Sequence, residues 1–481
     1  MSPWDLRGWI SKAKTGGLLK VVEGVEPDEI GVMTEVNARN RGPALVFDSV
    51  RGFRKGFRVL TGAVNNASLF ALTLGLKESV DTRHMIEWLR DKPARWQEES
   101  KNYPPVFVDE APILQNVKSG DQVDLLQFPV PKWHSLDVGP YIGTGSGIIT
   151  RDDETGWVNV GTYRGQLMGK NEVGLYISPG KHGRIMRDKA FSEKRKMPVV
   201  MVFGMEPLLF IFSSSEVPYG VSELNYVGAI RRDRVPVIRG QVTGLPIPAF
   251  AEIAVEGFLE PDKVREEGPF GEWTGYYGSG QREEPYLQVE RLYYRDDPIL
   301  LGSPPSKGSY CDYGYFRSVT RSALVYNRLE RSGVPGVKGV WCPEFGGSRQ
   351  WVIVSIEQLY PGHATEVAAL ASQLRESAYA GKFVVVVDSD VNPYDTDDVL
   401  WAVCTRADPA SDIDFLRKAW STPLDPRIER PTDDWTNSRA LIRAVKPFDW
   451  KDKYPRTAVE DEEKRAAAFE KYKNELNWTC W

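Results

Sequence analysis

The sequence is poor in the residues that hold small secreted or zinc-bound domains together. Its 481 residues include only four cysteines, Cys311, Cys342, Cys404 and Cys480, and no two of them form a CxxC pair. This spacing indicates neither a disulfide framework nor a cysteine-based zinc site, and it favours reduced thiols in a cytosolic protein. Histidine is equally scarce, with four in the chain, which leaves little room for a mechanism that needs several of them.

Long apolar runs and an excess of one charge are also missing. The most apolar stretch, 197–212, contains Glu206 and falls below the roughly 18 apolar residues that a membrane-spanning helix needs, so it predicts buried strands. Residues 1–14 lack the apolar core of a signal peptide and predict a first helix. The net charge of −5 argues against nucleic acid as the main partner. We expect a cytoplasmic protein without a membrane partner.

The short motifs of common nucleotide sites and hydrolases are absent from the sequence. Neither GxGxxG, GxxxxGK[ST], HExxH nor GxSxG occurs, and the glycines of 143–147 fit no phosphate-loop pattern. Rossmann cofactors and nucleophilic hydrolase chemistry are therefore unsupported.

The pattern of apolar, polar, Gly and Pro residues changes along the chain. Residues 1–115 mix strand and helix patterns, which predicts a small α+β domain. Residues 116–300 alternate short apolar runs with Gly, Pro, Asp and Asn, which predicts a β-barrel or sandwich. After a linking segment at 301–325 that returns to the N-terminal domain, residues 326–445 predict an α/β layer domain, followed by a helical tail at 446–481.

Individual elements follow from periodicity and capping residues. The predicted helices are 3–10, 66–76, 85–89, 364–374 and one capped by Asp395 or Thr396. The predicted strands are 44–47, 141–150, 157–160, 199–203, 208–212, 235–238, 287–294, 351–356 and 383–387. The last of these does not alternate, as expected when both faces of a sheet are covered. A charged helix at 459–476 has one apolar stripe, which would pack on a partner subunit or on the same chain.

The segment 267–278 places two carboxylates, Glu267 and Glu272, on either side of a Gly-Pro-Phe-Gly turn. Gly and Pro disfavour a regular helix here. A rigid turn would aim both carboxylates into one cavity, where one titrates high and the other low, which suits acid/base chemistry. For these residues taken alone, a solvated surface turn is the commoner interpretation.

Three other segments contain candidate site residues. Arg164 ends a strand-like stretch and, if buried, would clamp a substrate carboxylate or hold a glutamate ionised; the alternative is a solvated strand end. His182 lies among glycines and cations, which suits an anionic ligand, a metal bound to one, or a plain surface loop. Glu223 ends a polar loop that begins at Ser213. Asn159, His182 and Glu223 together form a set that fits Mn²⁺ or Mg²⁺ completed by phosphate oxygens.

These segments resemble the UbiD family of reversible decarboxylases, in its aromatic and heteroaromatic acid branch, over nearly the whole chain. The resemblance rests on 137–142, 159–164, 181–182, 220–229, 267–276 and 387–395. The Glu-Gly-Pro-Phe-Gly-Glu turn with an upstream Asn-x4-Arg is specific as a set. The resemblance implies an N-terminal α+β domain, a central split β-barrel of the flavin-reductase type that binds prenylated FMN, and a C-terminal α/β domain ending in a helix that helps to dimerise.

The resemblance also implies a cofactor site with two metal ions. Prenylated FMN would be held by a segment and side chains that comprise Asn159, Val160, Gly161, Thr162, Tyr163, Arg164, Lys181, His182 and Glu223. Asn159, His182 and Glu223 would bind Mn²⁺. Potassium would be bound by Glu223 and by the backbone carbonyls of Val160, Phe212, Ser213 and Ser215.

The catalytic residues implied by the resemblance are Arg164, Glu267 and Glu272. Glu272 would protonate the carbon that loses CO₂, and Arg164 would pair with Glu267 and help to place the substrate carboxylate. The substrate would be an aromatic or heteroaromatic carboxylic acid, the cofactor would come from a flavin prenyltransferase, and the assembly would be a homodimer or a dimer-based oligomer. Ser306, Lys307 and Tyr310 are further candidates for the pocket.

Two other functions remain open on the sequence. The barrel would also suit a flavin reductase that uses ordinary FMN and NAD(P)H. A non-catalytic subunit of a larger complex is the third hypothesis, and the intact set of Arg164, Glu267 and Glu272 argues against it.

Overall fold

The computed structural model describes residues 2–76, 80–215, 217–278, 280–429, 432 and 434–478, so that Cys480 lies outside the described residues. Its strands are β1 (Leu19–Glu23), β2 (Ala44–Asp48), β3 (Arg58–Thr61), β4 (Val106–Phe107), β5 (Asn116–Ser119), β6 (Tyr141–Gly143), β7 (Ser146–Arg151), β8 (Val158–Gly161), β9 (Arg164–Gly169), β10 (Glu172–Tyr176), β11 (Met197–Phe203), β12 (Pro236–Arg239), β13 (Pro246–Pro248), β14 (Ile253–Glu267), β15 (Arg282–Tyr294), β16 (Ile299–Gly302), β17 (Val337–Trp341), β18 (Trp351–Ile356), β19 (Phe383–Asp388), β20 (Ile413–Trp420) and β21 (Thr436–Ala444). Its helices are α1 (Leu6–Thr15), α2 (Glu29–Arg39), α3 (Ala67–Leu74), α4 (Thr82–Leu89), α5 (Lys92–Glu99), α6 (His182–Ser192), α7 (Pro207–Ser213), α8 (Glu223–Arg231), α9 (Asp312–Arg331), α10 (His363–Gln373), α11 (Arg375–Ala378), α12 (Thr396–Arg406) and α13 (Glu462–Tyr472).

The first sheet has the strand order β1-β2-β3-β16. β2 is parallel to β1 and antiparallel to β3, and β16 returns from much later in the chain to pair parallel with β3. The side chain of Asp5 caps α1 by accepting a hydrogen bond from Arg7 N at 2.9 Å, and Asn66 caps α3 through Leu69 N at 3.0 Å. α1 therefore begins three residues after the predicted start and ends at Thr15, beyond the predicted end, whereas α3 begins within one residue of its predicted start.

A curled antiparallel sheet forms the centre of the molecule. Its order is β6-β9-β10-β15-β14-β11-β7-β8, with β5 paired to β15. A curled sheet within a mixed α+β architecture confirms the predicted fold class. Glu267 at the end of β14 lies opposite Arg282 at the start of β15, and Arg164 at the start of β9 lies opposite Tyr176 at the end of β10. Glu267 and Arg164 therefore stand at strand ends.

The C-terminal sheet has the order β17-β18-β19-β21-β20, with three parallel strands inside and an antiparallel strand at each edge. β19 lies in the middle, and its residues 384–388 are buried, which confirms the strand predicted from its lack of alternation. Asp395 caps α12 through Asp397 N at 2.9 Å. The terminal helix is shorter than predicted, and Val459 and Leu476 of the predicted apolar stripe lie beyond its ends and are exposed.

The run 208–212 is helical, so the strand predicted there is wrong. Pro207 occupies the first position of α7, and the side chain of Glu206 accepts a hydrogen bond from Leu208 N at 2.8 Å; both features start a helix. Every residue of α7 is buried. A helix that is apolar on all sides has no 3.6-residue period, so pattern alone does not separate it from a buried strand. Within the described ranges, none of the helices has both the length and the apolar character needed to cross a bilayer.

Candidate active site

The turn after β14 brings Glu267 and Glu272 back toward each other. Gly268 has a φ of +83°, and a Cβ at this position would lie 2.5 Å from the carbonyl oxygen of Gly280. Only glycine fits this conformation and this approach. The turn closes through a hydrogen bond from Glu272 N to the Tyr276 carbonyl at 3.0 Å and another from Gly275 N to the Glu272 carbonyl at 2.8 Å. The predicted rigid turn between the two carboxylates is therefore present.

Arg164 lies between the two carboxylates. Its Nε and Nη2 donate to the two oxygens of Glu267, each at 2.7 Å, and its Nη1 contacts Oε1 of Glu272. All three side chains are at least nine-tenths buried. Burial alone would lower the pKa of Arg164, but Glu272 and Glu267 more than offset it and hold the pKa above its ordinary value. Taken by themselves, Glu267 and Glu272 were more typical of a solvated surface turn. Their burial excludes that interpretation.

Aromatic rings enclose the guanidinium group of Arg164. Its central carbon lies 4.6 Å from the centroid of the Tyr176 ring and 5.3 Å from that of Phe270. Phe270 packs on Tyr141 with ring centroids 4.4 Å apart, and the Tyr141 hydroxyl donates to Oε1 of Glu267 at 3.2 Å. Burial and the charge of Glu267 raise the pKa of Tyr141. Desolvation by these rings strengthens each ionic contact of Arg164.

The two glutamates are therefore not equivalent. Glu267 is fully buried, held by two nitrogens of Arg164 and by the Tyr141 hydroxyl. Glu272 contacts a different nitrogen of Arg164, and a small part of its side chain remains accessible. A carboxylate with access to a ligand suits proton transfer, whereas a bidentate buried partner suits the orientation of the arginine.

The structure also brings Asn159, His182 and Glu223 together. Nδ1 of His182 lies 3.3 Å from Oδ1 of Asn159, and the Glu223 carboxylate accepts a hydrogen bond from Val160 N at 2.6 Å. Among the described residues, no cluster of three or more His, Cys, Asp or Glu side chains forms a metal site. A metal here would thus need the amide oxygen of Asn159 and oxygens from outside the chain.

The carboxylate of Glu223 is the buried acidic group of this second cluster. Glu223 is buried, and no ion pair with it occurs within the described ranges. Burial raises the pKa of Glu223 to about 8. The neighbouring Ser222 hydroxyl is buried without a hydrogen-bond partner. Burial, followed by the charge of Lys181, lowers the pKa of His182, which keeps its imidazole neutral and able to bind a metal. These residues fit a cation.

Two helices begin at this cluster. His182 is the first residue of α6 and Glu223 is the first residue of α8, although the local sequence predicts only loops at both positions. The free N–H groups of a first helical turn favour anions, phosphate included. Tyr163 connects the first turn of α6 to Asn159 on β8. Its hydroxyl accepts from Gly183 N at 3.1 Å and lies 3.5 Å from Nδ2 of Asn159.

The candidate potassium ligands lie at the C-terminal end of α7. Phe212 and Ser213 are its last residues, and the Ser213 carbonyl accepts from Thr162 N at 3.1 Å, which brings this end to the end of β8. The carbonyl of Phe212 accepts from Ser215 N at 3.3 Å. Val160 and Glu223 meet nearby through their own hydrogen bond. The five residues are therefore neighbours; a role in binding potassium stays a prediction.

The remaining candidates occupy positions around these two clusters. Gly161 packs directly on Tyr163, because a Cβ at Gly161 would lie 2.4 Å from the tyrosine ring. Ser306, Lys307 and Tyr310 form a turn in which the Ser306 hydroxyl donates to the Tyr310 carbonyl at 3.2 Å. That turn packs on the segment after Glu272, since a Cβ at Gly275 would lie 2.9 Å from the Cα of Lys307.

Sequence reasoning missed Tyr141 and Tyr176 as members of the site. Tyr141 lies in the segment 137–142 that supports the family resemblance, and that motif is the sequence signal for it. Tyr176 lies beside Arg164 only because β10 pairs with β9 in one register, and the register is not readable from these short strands.

Family models match consecutive parts of the chain. The N-terminal domain model of 3-octaprenyl-4-hydroxybenzoate carboxy-lyase, UbiD, matches residues 11–89, its Rift-related domain model matches 106–308, and its C-terminal domain model matches 314–444. The three matches follow the chain order and leave only short segments between them.

Solved structures of similar proteins extend over nearly the full length. The UbiD-class enzyme HmfF from Pelotomaculum thermopropionicum, in complex with FMN, is 28% identical with a TM-score of 0.84, over 95% of this chain and 98% of that chain. Vanillic acid decarboxylase from Sedimentibacter hydroxybenzoicus, in open form, is 26% identical with a TM-score of 0.82, over 98% of both chains. The apo 3,4-dihydroxybenzoic acid decarboxylase from Enterobacter cloacae, 22% identical with a TM-score of 0.81 over 97% of this chain and 99% of that chain, supports the fold alone.

Proposed function

Because the chain belongs to the UbiD family of carboxy-lyases, we propose that it is a reversible, non-oxidative decarboxylase of an aromatic or heteroaromatic carboxylic acid. The observation that carries the proposal is the buried Arg164 held between Glu267 and Glu272. One solved relative contains FMN, and an evolved dimeric form of the same enzyme contains prenylated FMN, while another relative is a vanillic acid decarboxylase. These relatives support prenylated FMN as the cofactor and a planar acid as the substrate.

Charge balance in the cluster supports Glu272 as the proton donor. Arg164 with both glutamates ionised has a net charge of −1, and a proton on Glu272 makes the buried cluster neutral. A substrate that excludes water raises the cost of the net charge and so favours the protonated form. Prenylated FMN, when bound, supplies an electron sink for the carbanion character that develops as CO₂ leaves. Glu272 then delivers its proton to the carbon that lost CO₂, and Arg164 stabilises the carboxylate that results.

Arg164 and Glu267 have a positioning part in this scheme. The bidentate contact with Glu267 fixes the plane of the guanidinium group. Its remaining nitrogen points to Glu272, so the proton donor and the cation keep one geometry during the reaction. Water is kept out by Tyr141, Tyr176 and Phe270, which surround the group.

The second cluster would hold the phosphate of the cofactor through metal ions. In this proposal Asn159, His182 and Glu223 bind Mn²⁺, Glu223 with the carbonyls of Val160, Phe212, Ser213 and Ser215 binds K⁺, and the segment 159–164 with Lys181 contacts the cofactor. The burial of Glu223 and the two helix starts beside it support a site for a cation and a phosphate.

Glu223→Gln should weaken Mn²⁺ binding, measured in the presence of FMN, by at least about 10–100-fold, the loss found when even outer partners of metal ligands are removed. The amide keeps the shape but removes the charge that compensates a cation. Titration with Mn²⁺ followed by EPR measures the affinity. Glu206→Gln is the matched control, because Glu206 is also buried beside the start of a helix yet should leave Mn²⁺ affinity unchanged. Equal losses in both variants would reject the assignment.

The proposed function is tested by producing the chain with and without a flavin prenyltransferase and measuring CO₂ release from a panel of aryl and heteroaryl acids. The protein made with the prenyltransferase should release CO₂, and the protein loaded with ordinary FMN should not. A flavin reductase would instead oxidise NAD(P)H with ordinary FMN. The matches to carboxy-lyases along the chain do not favour that alternative.

We also propose that the protein is a cytoplasmic homodimer or an oligomer of dimers, which receives its cofactor from a flavin prenyltransferase. Buried, unpaired Cys311 and Cys342 agree with a reducing compartment. The exposed Val459, Tyr472 and Leu476 around the terminal helix offer apolar surface for a partner subunit.

A further inference from the structure

Asp137 is a buried carboxylate whose hydrogen bonds go to both flanks of the turn that carries Glu272. Its Oδ1 accepts from Gly271 N at 3.0 Å, the residue directly before Glu272. Its other side-chain oxygen accepts from His134 N at 2.9 Å. Burial, followed by the charge of Asp137 and a side-chain hydrogen bond to it, raises the pKa of Tyr277, five residues after Glu272. The Asp137 side chain has no exposed surface.

The segment around Asp137 contacts the turn at two further points. Val138 N donates to the Pro269 carbonyl at 3.0 Å. The ring of His134 lies against Gly271, where a Cβ would come within 3.1 Å of Nδ1. The His134–Val138 segment therefore fixes the turn from its first residues to Tyr277, and the carboxylate of Asp137 is the group that joins the two flanks.

No lysine or arginine pairs with Asp137 among the described residues; the ring nitrogen Nδ1 of His134 lies 3.5 Å from its Oδ2. A buried carboxylate is costly unless hydrogen bonds satisfy it, and bonds to an ionised acceptor are roughly twice as strong as neutral ones. Two of its described donors lie on the Glu272 turn. The hydrogen bonds that offset the cost of burying Asp137 therefore also hold that turn in position.

We propose that Asp137 is a positioning residue for the reaction, which holds Glu272 at the distance from Arg164 and from the substrate carbon that proton transfer requires. The proposal rests on the proposed function, in which Glu272 is the proton donor. A displacement of about 1 Å in a reacting group is enough to lower a rate by about 100-fold. Asp137 does not itself touch Arg164 in this arrangement, so its effect passes through the backbone at Gly271 and through Tyr277.

Asp137→Asn tests the proposal because the amide keeps the shape and loses one acceptor. Its NH₂ group would face the N–H of either Gly271 or His134, so one bond is lost. We expect kcat to fall about 10- to 100-fold with KM and cofactor absorbance close to those of the unmodified protein. Amide hydrogen exchange in the peptide that contains 268–278 should become faster in the same variant.

Glu256→Gln is the matched control. Glu256 is fully buried and accepts from Gln241 N, Val242 N and Thr243 N at 2.9, 3.0 and 2.9 Å, so it loses the same kind of bond. It lies near the opposite end of β14 from Glu267. We expect Glu256→Gln to lower the melting temperature while kcat and the exchange of 268–278 stay unchanged. Parallel losses of kcat in the two variants would mean that Asp137 is merely structural and would overturn the proposal.

Failure of the proposed function and failure of the positioning role of Asp137 give different results. If the unmodified, cofactor-loaded protein releases no CO₂, the proposed function fails, and the hydrogen exchange of 268–278 alone decides whether Asp137 holds the turn. If the unmodified protein is active and Asp137→Asn keeps its kcat, the positioning proposal fails by itself. Should Asp137→Asn not fold, Tyr277→Phe removes one donor; a kcat about 2- to 10-fold lower with faster exchange supports the proposal, and unchanged values overturn it.

Discussion

Glu272→Gln is expected to lower the rate of decarboxylation by about 10²–10⁴-fold, the contribution of a positioned general acid, while the fold and the bound cofactor are retained. The amide has nearly the shape of the carboxyl group and can still accept from Arg164, but it has no proton to give to the carbon that loses CO₂. Single-turnover measurement of CO₂ release by the cofactor-loaded variant separates the chemical step from product release.

The control for Glu272→Gln is Glu266→Gln. Glu266 lies beside Glu267 on β14 but is exposed to solvent, so its amide variant should keep a rate near that of the unmodified protein. A Glu272→Gln protein that retains its full rate would remove Glu272 as the proton donor, whatever the behaviour of the control.

Arg164→Gln is expected to lower both activity and stability. Glu267 would remain fully buried without its cation, and breaking a buried ion pair from one side costs about 3–5 kcal/mol of unfolding free energy. Activity should fall at least about 100-fold, because Glu272 and the substrate carboxylate both lose the cation that orients them. Denaturant unfolding and CO₂ release measure the two losses independently.

A second change separates the two effects of Arg164. In Arg164→Gln combined with Glu267→Gln, the uncompensated charge of Glu267 is gone and only Glu272 remains without its cation, so part of the stability should return while activity stays low. Arg231→Gln breaks another pair, with the buried Glu206, and should destabilise the protein without the same loss of rate per folded molecule. If the double variant regains activity together with stability, Arg164 has only a structural role.

The elements that were predictable from the sequence are those with a local cause. The Gly-Pro-Phe-Gly turn between Glu267 and Glu272 follows from residues that a helix or strand does not accommodate. The caps Asp5, Asn66 and Asp395 start helices through their own side chains. β19 showed its buried position through an unbroken run of valines.

What escaped prediction depends on distant parts of the chain. Burial of Glu267 requires β9, β10 and β14 to meet at one end of the sheet, and no local pattern near Glu267 contains that information. Tyr176 joins Arg164 only through the register of β10 on β9. The helix starts at His182 and Glu223 lie behind glycines and serines that also suit loops. The family resemblance, and not periodicity, indicated Glu267, His182 and Glu223 as site residues, and neither of the two indicated Tyr176.

The most direct test measures whether a solvent-derived proton replaces the carboxyl group that leaves as CO₂. The protein produced with a flavin prenyltransferase would be incubated in D₂O with a panel of hydroxybenzoic, methoxybenzoic and furoic acids, and CO₂ and the deuterium content of the products would be measured. The expected result is one deuterium at the carbon that carried the carboxyl group for each CO₂ released, with both signals lost in Glu272→Gln. Cofactor-loaded protein that releases no CO₂ from any acid, and FMN-loaded protein that oxidises NAD(P)H instead, would contradict the account.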